Sequence, residues 1–373
     1  MTLFLAAIAV ALCAFAIFTV IPGIFGVFEL LLSLPLAQLI SFRSILTVFF
    51  LGIGICYLLP AFLSRNKLRR IIASIAAICL LTSGAAHGMT VISRGLYFYD
   101  NLAQIEGDAK SETPHLNVLT YNTKGGATTT SDIVKIMLHD AIDVAVLPET
   151  STQQGEEIQQ ALAAAGVNFQ RFDTQTSQWE PDFSSTVILV SGKLGEYRQL
   201  DLSAISGKKA ADQSAGNLEN APTEKTGVAA PFSIVGVAPA DTQSKLPRFY
   251  GVHPIAPLPS LMQRWKAEIT KTYSLCKSGE NFVLAGDFNS TADHQAALEI
   301  SCRDAVKEAR MGGLGTWPAK FPVWLSAPID RVLTGGNNYR GAQAKIVKAG
   351  ASDHAGIVVQ LRAHEFATAA ARY

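Results

Sequence analysis

Val283-Leu284-Ala285-Gly286-Asp287-Phe288-Asn289-Ser290 is an apolar run that stops in an acid and an amide two residues apart. About 4 to 8 apolar residues bounded by turn formers read as a buried strand, and strand alternation would aim Asp287 and Asn289 the same way. A carboxylate so placed can orient or deprotonate a water, and an amide two positions on can hold an oxygen that gains charge. A plainer reading, a strand end at which Asp and Asn open a turn, fits these eight residues equally well. The rest of the chain decides between the two.

Other stretches have the same form. Leu116-Asn117-Val118-Leu119-Thr120-Tyr121-Asn122 ends in Asn122, and Asp143-Val144-Ala145-Val146-Leu147-Pro148-Glu149 ends in Glu149. Phe249-Tyr250-Gly251-Val252-His253 presents His253, Pro328-Ile329-Asp330-Arg331-Val332 supplies Asp330, and Ser352-Asp353-His354 precedes a last apolar strand, Gly356 to Leu361. In order and spacing these stretches resemble the endonuclease/exonuclease/phosphatase superfamily over about residues 114 to 363. That superfamily of metal-dependent phosphoesterases includes pancreatic-type deoxyribonucleases, abasic-site endonucleases, neutral sphingomyelinases and inositol-polyphosphate 5-phosphatases.

The resemblance implies roles residue by residue. Glu149 matches the main metal-binding glutamate, with Asn122 beside the metal and Asp353 as a further contact; oxygen donors of this kind suit Mg²⁺ or Mn²⁺. His354 matches the histidine that contacts the scissile phosphate, and Asp330 the acid that orients its ring, fixing one tautomer and favouring the charged form. Asp287 would align the attacking water, Asn289 would hold a phosphate oxygen, and His253 matches a second histidine near the phosphate or leaving group. The chain departs from many members at Pro148, where Gln is common, and at Arg331, where His is common. Arg331 could bind a substrate phosphate through its fork of donors, or be a plain surface arginine.

Leu147-Pro148-Glu149-Thr150, Gly315-Thr316-Trp317-Pro318 and a helical leader resemble, more narrowly, the membrane-anchored branch that includes actinomycete glycopeptide-resistance membrane proteins. The leader is also legible from composition. Of 373 residues 49% are hydrophobic, with a mean hydropathy of +0.24, and the excess lies in residues 1–93. That stretch holds one acid, Glu29, and the bases Arg43, Arg65, Lys67, Arg69 and Arg70.

Three spans of about 20 residues, the length a bilayer requires, can be drawn over about 2–21, 44–63 and 71–93. Residues 24–42 read as an interfacial or re-entrant segment, because a fourth span there would place Glu29 and Gln38 in lipid. Short basic loops stay cytoplasmic, so the Arg65–Arg70 cluster predicts that everything beyond about Arg94 lies outside. Residues 94–113 read as a tether, 114–363 as the catalytic domain and 364–373 as a tail.

Within the domain the pattern predicts helices over Ser131–His139, Gln154–Ala165 and Pro259–Cys276, the last with Leu261, Trp265, Ile269 and Tyr273 on one face. Strands are expected over Ser184–Ser191, Phe232–Val237 and Arg248–His253. The resemblance turns this mixed α/β (α+β) pattern into a two-sheet β-sandwich flanked by helices, deoxyribonuclease-like, behind the N-terminal transmembrane region. The polar stretch Ser203–Ala230 reads as a flexible surface loop. Gly335-Gly336-Asn337 reads as a turn, and Gly312-Gly313 with Gly315 is too short a signal for a phosphate loop. Cys276 and Cys302 flank the Asp287 motif, and an even pair in an oxidising compartment invites a disulfide; two separate buried thiols are the other reading.

The partners expected are the lipid bilayer and a phosphate-ester substrate, lipid-linked or a phospholipid headgroup. Outside the leader the 31 basic and 30 acidic residues of the chain leave a slight acidic excess. A nuclease that leans on cationic surface is thereby disfavoured without being excluded. A non-catalytic membrane sensor that keeps the fold is the third expectation.

Overall fold

The computed structural model describes residues 2–21, 28–102, 115–174, 185–202, 233–336 and 338–363. In chain order the strands are β1 (Leu116–Thr120), β2 (Val144–Pro148), β3 (Phe169–Asp173), β4 (Thr186–Ser191), β5 (Tyr197–Gln199) and β6 (Ser233–Pro239). They are followed by β7 (Arg248–His253), β8 (Phe282–Asp287), β9 (Arg303–Asp304), β10 (Asp330–Gly335), β11 (Tyr339–Val347) and β12 (Gly356–Ala363). Two six-stranded sheets result, ordered β11-β12-β1-β2-β4-β3 and β5-β6-β7-β8-β10-β9. β1 and β2 run parallel, as do β7 and β8; the other neighbours are antiparallel.

Alternation along each strand builds the layers. Val118, Val144, Val146 and Ile188 of the first sheet meet Val237, Phe249, Val283, Ala285 and Val332 of the second in the core between them. Removing one such side chain from water contributes about 1.5–3 kcal/mol. The intervening residues face outward and are covered by helices. The leader contributes α1 (Thr2–Val20), α2 (Leu36–Ile40), α3 (Arg43–Leu63) and α4 (Lys67–Arg94). On the first sheet lie α5 (Thr130–His139) and α6 (Thr152–Ala164), whose Ile133, Met137, Ile158 and Leu162 pack on Leu119, Ala145 and Leu147. Both helices start as their sequences dictate: Thr129 and Asp132 form a capping box, and the Ser151 hydroxyl accepts from the Gln154 N–H.

The second sheet is covered by α7 (Met262–Ser274), with Trp265, Ile269 and Tyr273 fully buried against Tyr250, Val252 and Leu284. The same cluster continues into Ala16, Leu31, Leu32, Ala37, Ile40, Leu46 and Phe50. The leader therefore shares a core with the domain. α3 and α4, of 21 and 28 residues, are long and apolar enough to cross a membrane, whereas the described apolar stretch of α1, Ala6–Val20, is shorter. Residues 28–42 form a 3₁₀ turn (Phe28–Leu32) and the five-residue α2. Neither is long enough to cross a bilayer.

α8 (Ala292–Ala297) and α9 (Ala305–Glu308) complete the described helices. α8 fastens the domain to the leader. Asp293 is buried and accepts from Arg43 Nε and Nη2 (2.9 and 2.7 Å) and from Arg94 Nη1 and Nη2 (2.9 and 2.7 Å). Arg43 also donates to His87 Nδ1 (2.9 Å), whose Nε2 meets Thr19 Oγ1 of α1 (3.1 Å). Beside it His294 donates from Nε2 to the Ala37 carbonyl (3.0 Å). The first residues after α4 are packed as well. Gly313 N donates to Gly95 O (2.8 Å), and a Cβ on Gly313 would come within 2.5 Å of Val91 O, which explains the glycine. The start of the expected tether is thus bound to the domain because its backbone pairs there. The remainder of that tether, the 203–230 loop, Asn337 and the 364–373 tail lie outside the described residues.

Cys276 and Cys302 form a disulfide with Cα atoms 5.4 Å apart, enclosing both β8 and α8. Strands β3, β5, β9 and β11 were not anticipated. Phe169-Gln170-Arg171-Phe172-Asp173 lies at a sheet edge and carries too few apolar residues to announce itself.

Candidate active site

One end of the sandwich receives a polar side chain from each of several strands. Asn122 follows β1, Glu149 follows β2, His253 and Asp287 close β7 and β8, Asp330 opens β10, and His354 lies two residues before β12. Because β10 and β12 run antiparallel to β8 and β1, their beginnings meet the other strands' ends. Asp330 pairs in register with Asp287. Residues 283, 285 and 287 share the inward face, so the run of core side chains terminates in the Asp287 carboxylate. Gly286 lets β7 come close at this point: its φ is +146°, and a Cβ there would lie 2.0 Å from Val252 O.

Glu149 breaks the alternation. With φ +51° it leaves the strand geometry, and its carbonyl is held by Thr123 Oγ1 (2.7 Å) and Gly125 N (2.9 Å). Its Oε1 lies 3.5 Å from His253 Nε2, which is 3.7 Å from Asp287 Oδ2. Glu149, His253 and Asp287 each offer a ligand atom within 4.8 Å of the others, and so do Asp287, Asp330 and His354. Two carboxylate oxygens and an imidazole fit a divalent cation.

His354 Nδ1 donates to Asp330 Oδ2 (2.9 Å), and its Nε2 lies 3.6 Å from Asp287 Oδ2. Burial opposes charge on this ring, but Asp330 and then Asp287 overcome it and raise the pKa to about 10. Burial, reinforced by Asp287, pushes Asp330 upward despite the favourable imidazolium. Asp330 Oδ1 is buried without a hydrogen-bond partner among the described residues. A turn fixes the ring's approach: Ser352 Oγ donates to Asn122 O (2.7 Å) and accepts from His354 N (3.1 Å).

The geometry also places the remaining expected residues. Asn122 points Nδ2 at Glu149 Oε1 (2.8 Å) and Asp287 Oδ2 (3.1 Å), while its Oδ1 accepts from Lys124 N (2.9 Å). It thus stands beside the expected metal position and links the two carboxylates as a donor. Asp353 lies at the rim of the cluster, close enough to His354 for each to favour the other's charge: Oδ2 accepts from Trp317 Nε1 (3.3 Å), and Oδ1 pairs with Lys124 Nζ at 3.3 Å. Asn289 does not continue the strand. Its φ of +44° redirects it, and Nδ2 donates to Pro254 O (2.9 Å), so the amide braces the loop after His253.

Arg331 does not reach the cluster. As the neighbour of inward-facing Asp330 it must face the other side of the sheet, where it is buried over the rings of Tyr273 and Phe288. There it donates to Tyr273 Oη, Gln295 Oε1 and Asp304 Oδ2 (2.7, 2.9 and 2.9 Å). Lys124 was missed altogether. It is half-exposed at the rim beside Asp353, and no apolar run pointed to it.

Residues 119–354 match the Endonuclease/Exonuclease/phosphatase family. Among solved structures, an endonuclease/exonuclease/phosphatase from Beutenbergia cavernae is 17% identical, covering 67% of this chain and 72% of its own at a TM-score of 0.46. A D. rerio TDP2 complexed with single strand DNA product is 14% identical, covering 67% and 100% at 0.47. A family protein from Bacteroides thetaiotaomicron is 14% identical, covering 68% and 99% at 0.47. No curated protein matches the chain.

Proposed function

Because the chain belongs to the endonuclease/exonuclease/phosphatase family, whose members are in general metal-dependent phosphoester hydrolases, we propose that it is a membrane-anchored phosphoesterase. Its catalytic domain, about 114–363, would face away from the cytoplasm and hydrolyse a phosphate ester at the bilayer surface. The observation that carries this reading is the convergence of Glu149, His253, Asp287, Asp330 and His354, delivered by separate strands, on one end of the sandwich.

Each side chain has a task suited to its surroundings. Asp287, buried and aimed outward from the core, aligns a water for attack on phosphorus and takes its proton as the new P–O bond forms and the ester P–O bond breaks. His354, kept charged by Asp330, offers Nε2–H to the phosphoryl oxygen that gains charge. Asn122 and His253 hold the Glu149 and Asp287 carboxylates in register. Mg²⁺ or Mn²⁺ held by Glu149 and Asp287 would add charge neutralisation of the phosphoryl group.

Two features support an outward, membrane-facing site. Antiparallel α3 and α4 put the Arg65–Arg70 cluster at one end of their hairpin and the Arg43–Asp293–Arg94 junction at the other. Basic loops stay cytoplasmic, so the domain falls on the opposite side, with α1 as a third span. The disulfide suits an oxidising compartment. Anchoring raises the effective concentration of enzyme on a membrane-bound ester, which favours lipid-linked phosphates or phospholipid headgroups. Kinship with the glycopeptide-resistance branch remains a proposal carried by residues 147–150, 315–318 and the leader.

The test is Mg²⁺-dependent ester hydrolysis by purified full-length protein and by Glu149→Ala, Asp287→Ala and His354→Ala. Loss in all three is expected; equal rates in all four proteins would refute catalysis by this site. Cleavage of plasmid or single-stranded DNA in preference to lipid esters would favour a nuclease instead.

A further inference from the structure

The loops beside the site carry an apolar surface that the catalytic reading does not use. Among the described residues of 115–363, four large apolar side chains are exposed: Leu138, Leu258, Phe321 and Trp324. Leu138 stands apart on α5. The other three lie on two loops, 254–261 and 317–326, with Leu258 51%, Phe321 37% and Trp324 50% exposed.

Both loops begin at the site. The first follows His253, and its Pro254 carbonyl holds Asn289. The second starts at Trp317, which donates to Asp353, and Ala319 N donates to the Asp353 carbonyl (2.7 Å). Both loops also touch the leader where it enters the membrane. Gln38 of α2 donates to Pro257 O and to Met262 Sδ, and the Phe42 ring, immediately before α3, lies 6.1 Å from that of Trp317. Leu34 and Leu39 on the adjoining stretch of leader are exposed too.

Aromatic and leucine side chains bordered by a lysine, here Lys320 over Phe321, are the composition of a membrane interface. The buried Arg43–Asp293–Arg94 bonds fasten α8 to one end of the α3–α4 hairpin, and the Gln38 and Phe42 contacts set the loops beside that same end. We propose that loops 254–261 and 317–326 seat in the bilayer surface and form two lips of a mouth through which a phosphate-bearing lipid headgroup reaches Asp287 and His354 without leaving the membrane. The use of the mouth rests on the phosphoesterase reading; the seating of the lips does not.

The experiment places full-length protein and Trp324→Phe in phosphatidylcholine nanodiscs, with and without bromine on the acyl chains, and reads tryptophan emission. The Trp324 contribution, obtained as the difference between the two proteins, is expected to be quenched by brominated lipid. The same contribution in brominated and plain discs would overturn the seating. In parallel, a Phe321→Ser/Trp324→Ser double variant is assayed on a long-chain phosphate ester held in the disc and on a water-soluble aryl phosphate. KM for the embedded ester should rise about tenfold, equivalent to ~1.4 kcal/mol, with kinetics on the soluble ester unchanged. An equal change on both esters would overturn the mouth. Hydrolysis of neither ester by the parent protein would sink the phosphoesterase reading and the mouth with it, while quenching would still decide the seating.

Discussion

Two buried aspartates, Asp287 and Asp293, lie in one short stretch and have opposite surroundings. Asp293 receives four hydrogen bonds from two guanidinium groups, and although burial opposes its charge, Arg94 and Arg43 hold its carboxyl far below the usual range. Asp287 is just as buried, yet its neighbours are the carboxylates of Glu149 and Asp330 together with the imidazoles of His253 and His354 and the Asn122 amide. The first cluster is neutralised by fixed guanidiniums and fastens leader to domain; the second mixes carboxylates and imidazoles and is the candidate site.

Exchanging each acid for its amide should separate the two roles. Asp287→Asn is expected to lower ester hydrolysis about 10²–10⁴-fold, with a smaller loss of thermal midpoint than Asp293→Asn gives, because it strands no guanidinium. Asp293→Asn should do the reverse. It leaves two buried guanidiniums short of charge, a loss of about 3–5 kcal/mol visible in thermal unfolding, while folded molecules keep kcat on a soluble ester near the parent value. Equal midpoints for Asp293→Asn and the parent would mean that the junction does not hold the leader.

The disulfide encloses both aspartates, so Cys276→Ser/Cys302→Ser should lower stability by about 2–4 kcal/mol, read as a lower denaturation midpoint. A peptide map of non-reduced protein should recover the two cysteines joined. The smallest expected effect is on pH. His294, buried beside Asp293 with its Nε2–H on Ala37 O, has its pKa pushed down to about 4 by burial. The unfolded chain takes up that proton near pH 6.5. Between these values the unfolded state binds more protons, so stability is full above about pH 6.5 and falls with pH by up to ~1.4 kcal/mol per unit. His294→Gln should flatten that slope in unfolding measured from pH 7 to 4.5.

Much of the site was legible because burial imposes a form. Strands between two layers must be apolar to their ends, so the polar residues at or beside those ends stand out; Asn122, Glu149, His253, Asp287, Asp330 and His354 could be singled out in this way, and the structure places them at one end of the sandwich. Errors came from local geometry that spacing does not reveal. Left-handed backbone at Glu149 and Asn289 overrode alternation, whereas Arg331 was misjudged by neglecting alternation, which sends it away from its neighbour Asp330. The direction of Asp353 depends on Trp317, 36 residues away. The junction was invisible for the same reason: Arg43 and Asp293 are 250 residues apart, and only the fold brings them together. Arg43 and Arg94 at corresponding ends of two apolar runs were the available hint.

We propose that Glu149 and Asp287 jointly hold a divalent cation and that Asp353 takes no part in holding it. Titration of Mn²⁺ into the full-length protein, followed by the loss of its free-ion paramagnetic resonance signal, tests it most directly. Binding should be saturable in the parent and in Asp353→Asn, and lost in Glu149→Gln and Asp287→Asn. Binding that survives both of those substitutions, or that disappears with Asp353→Asn, would contradict the account.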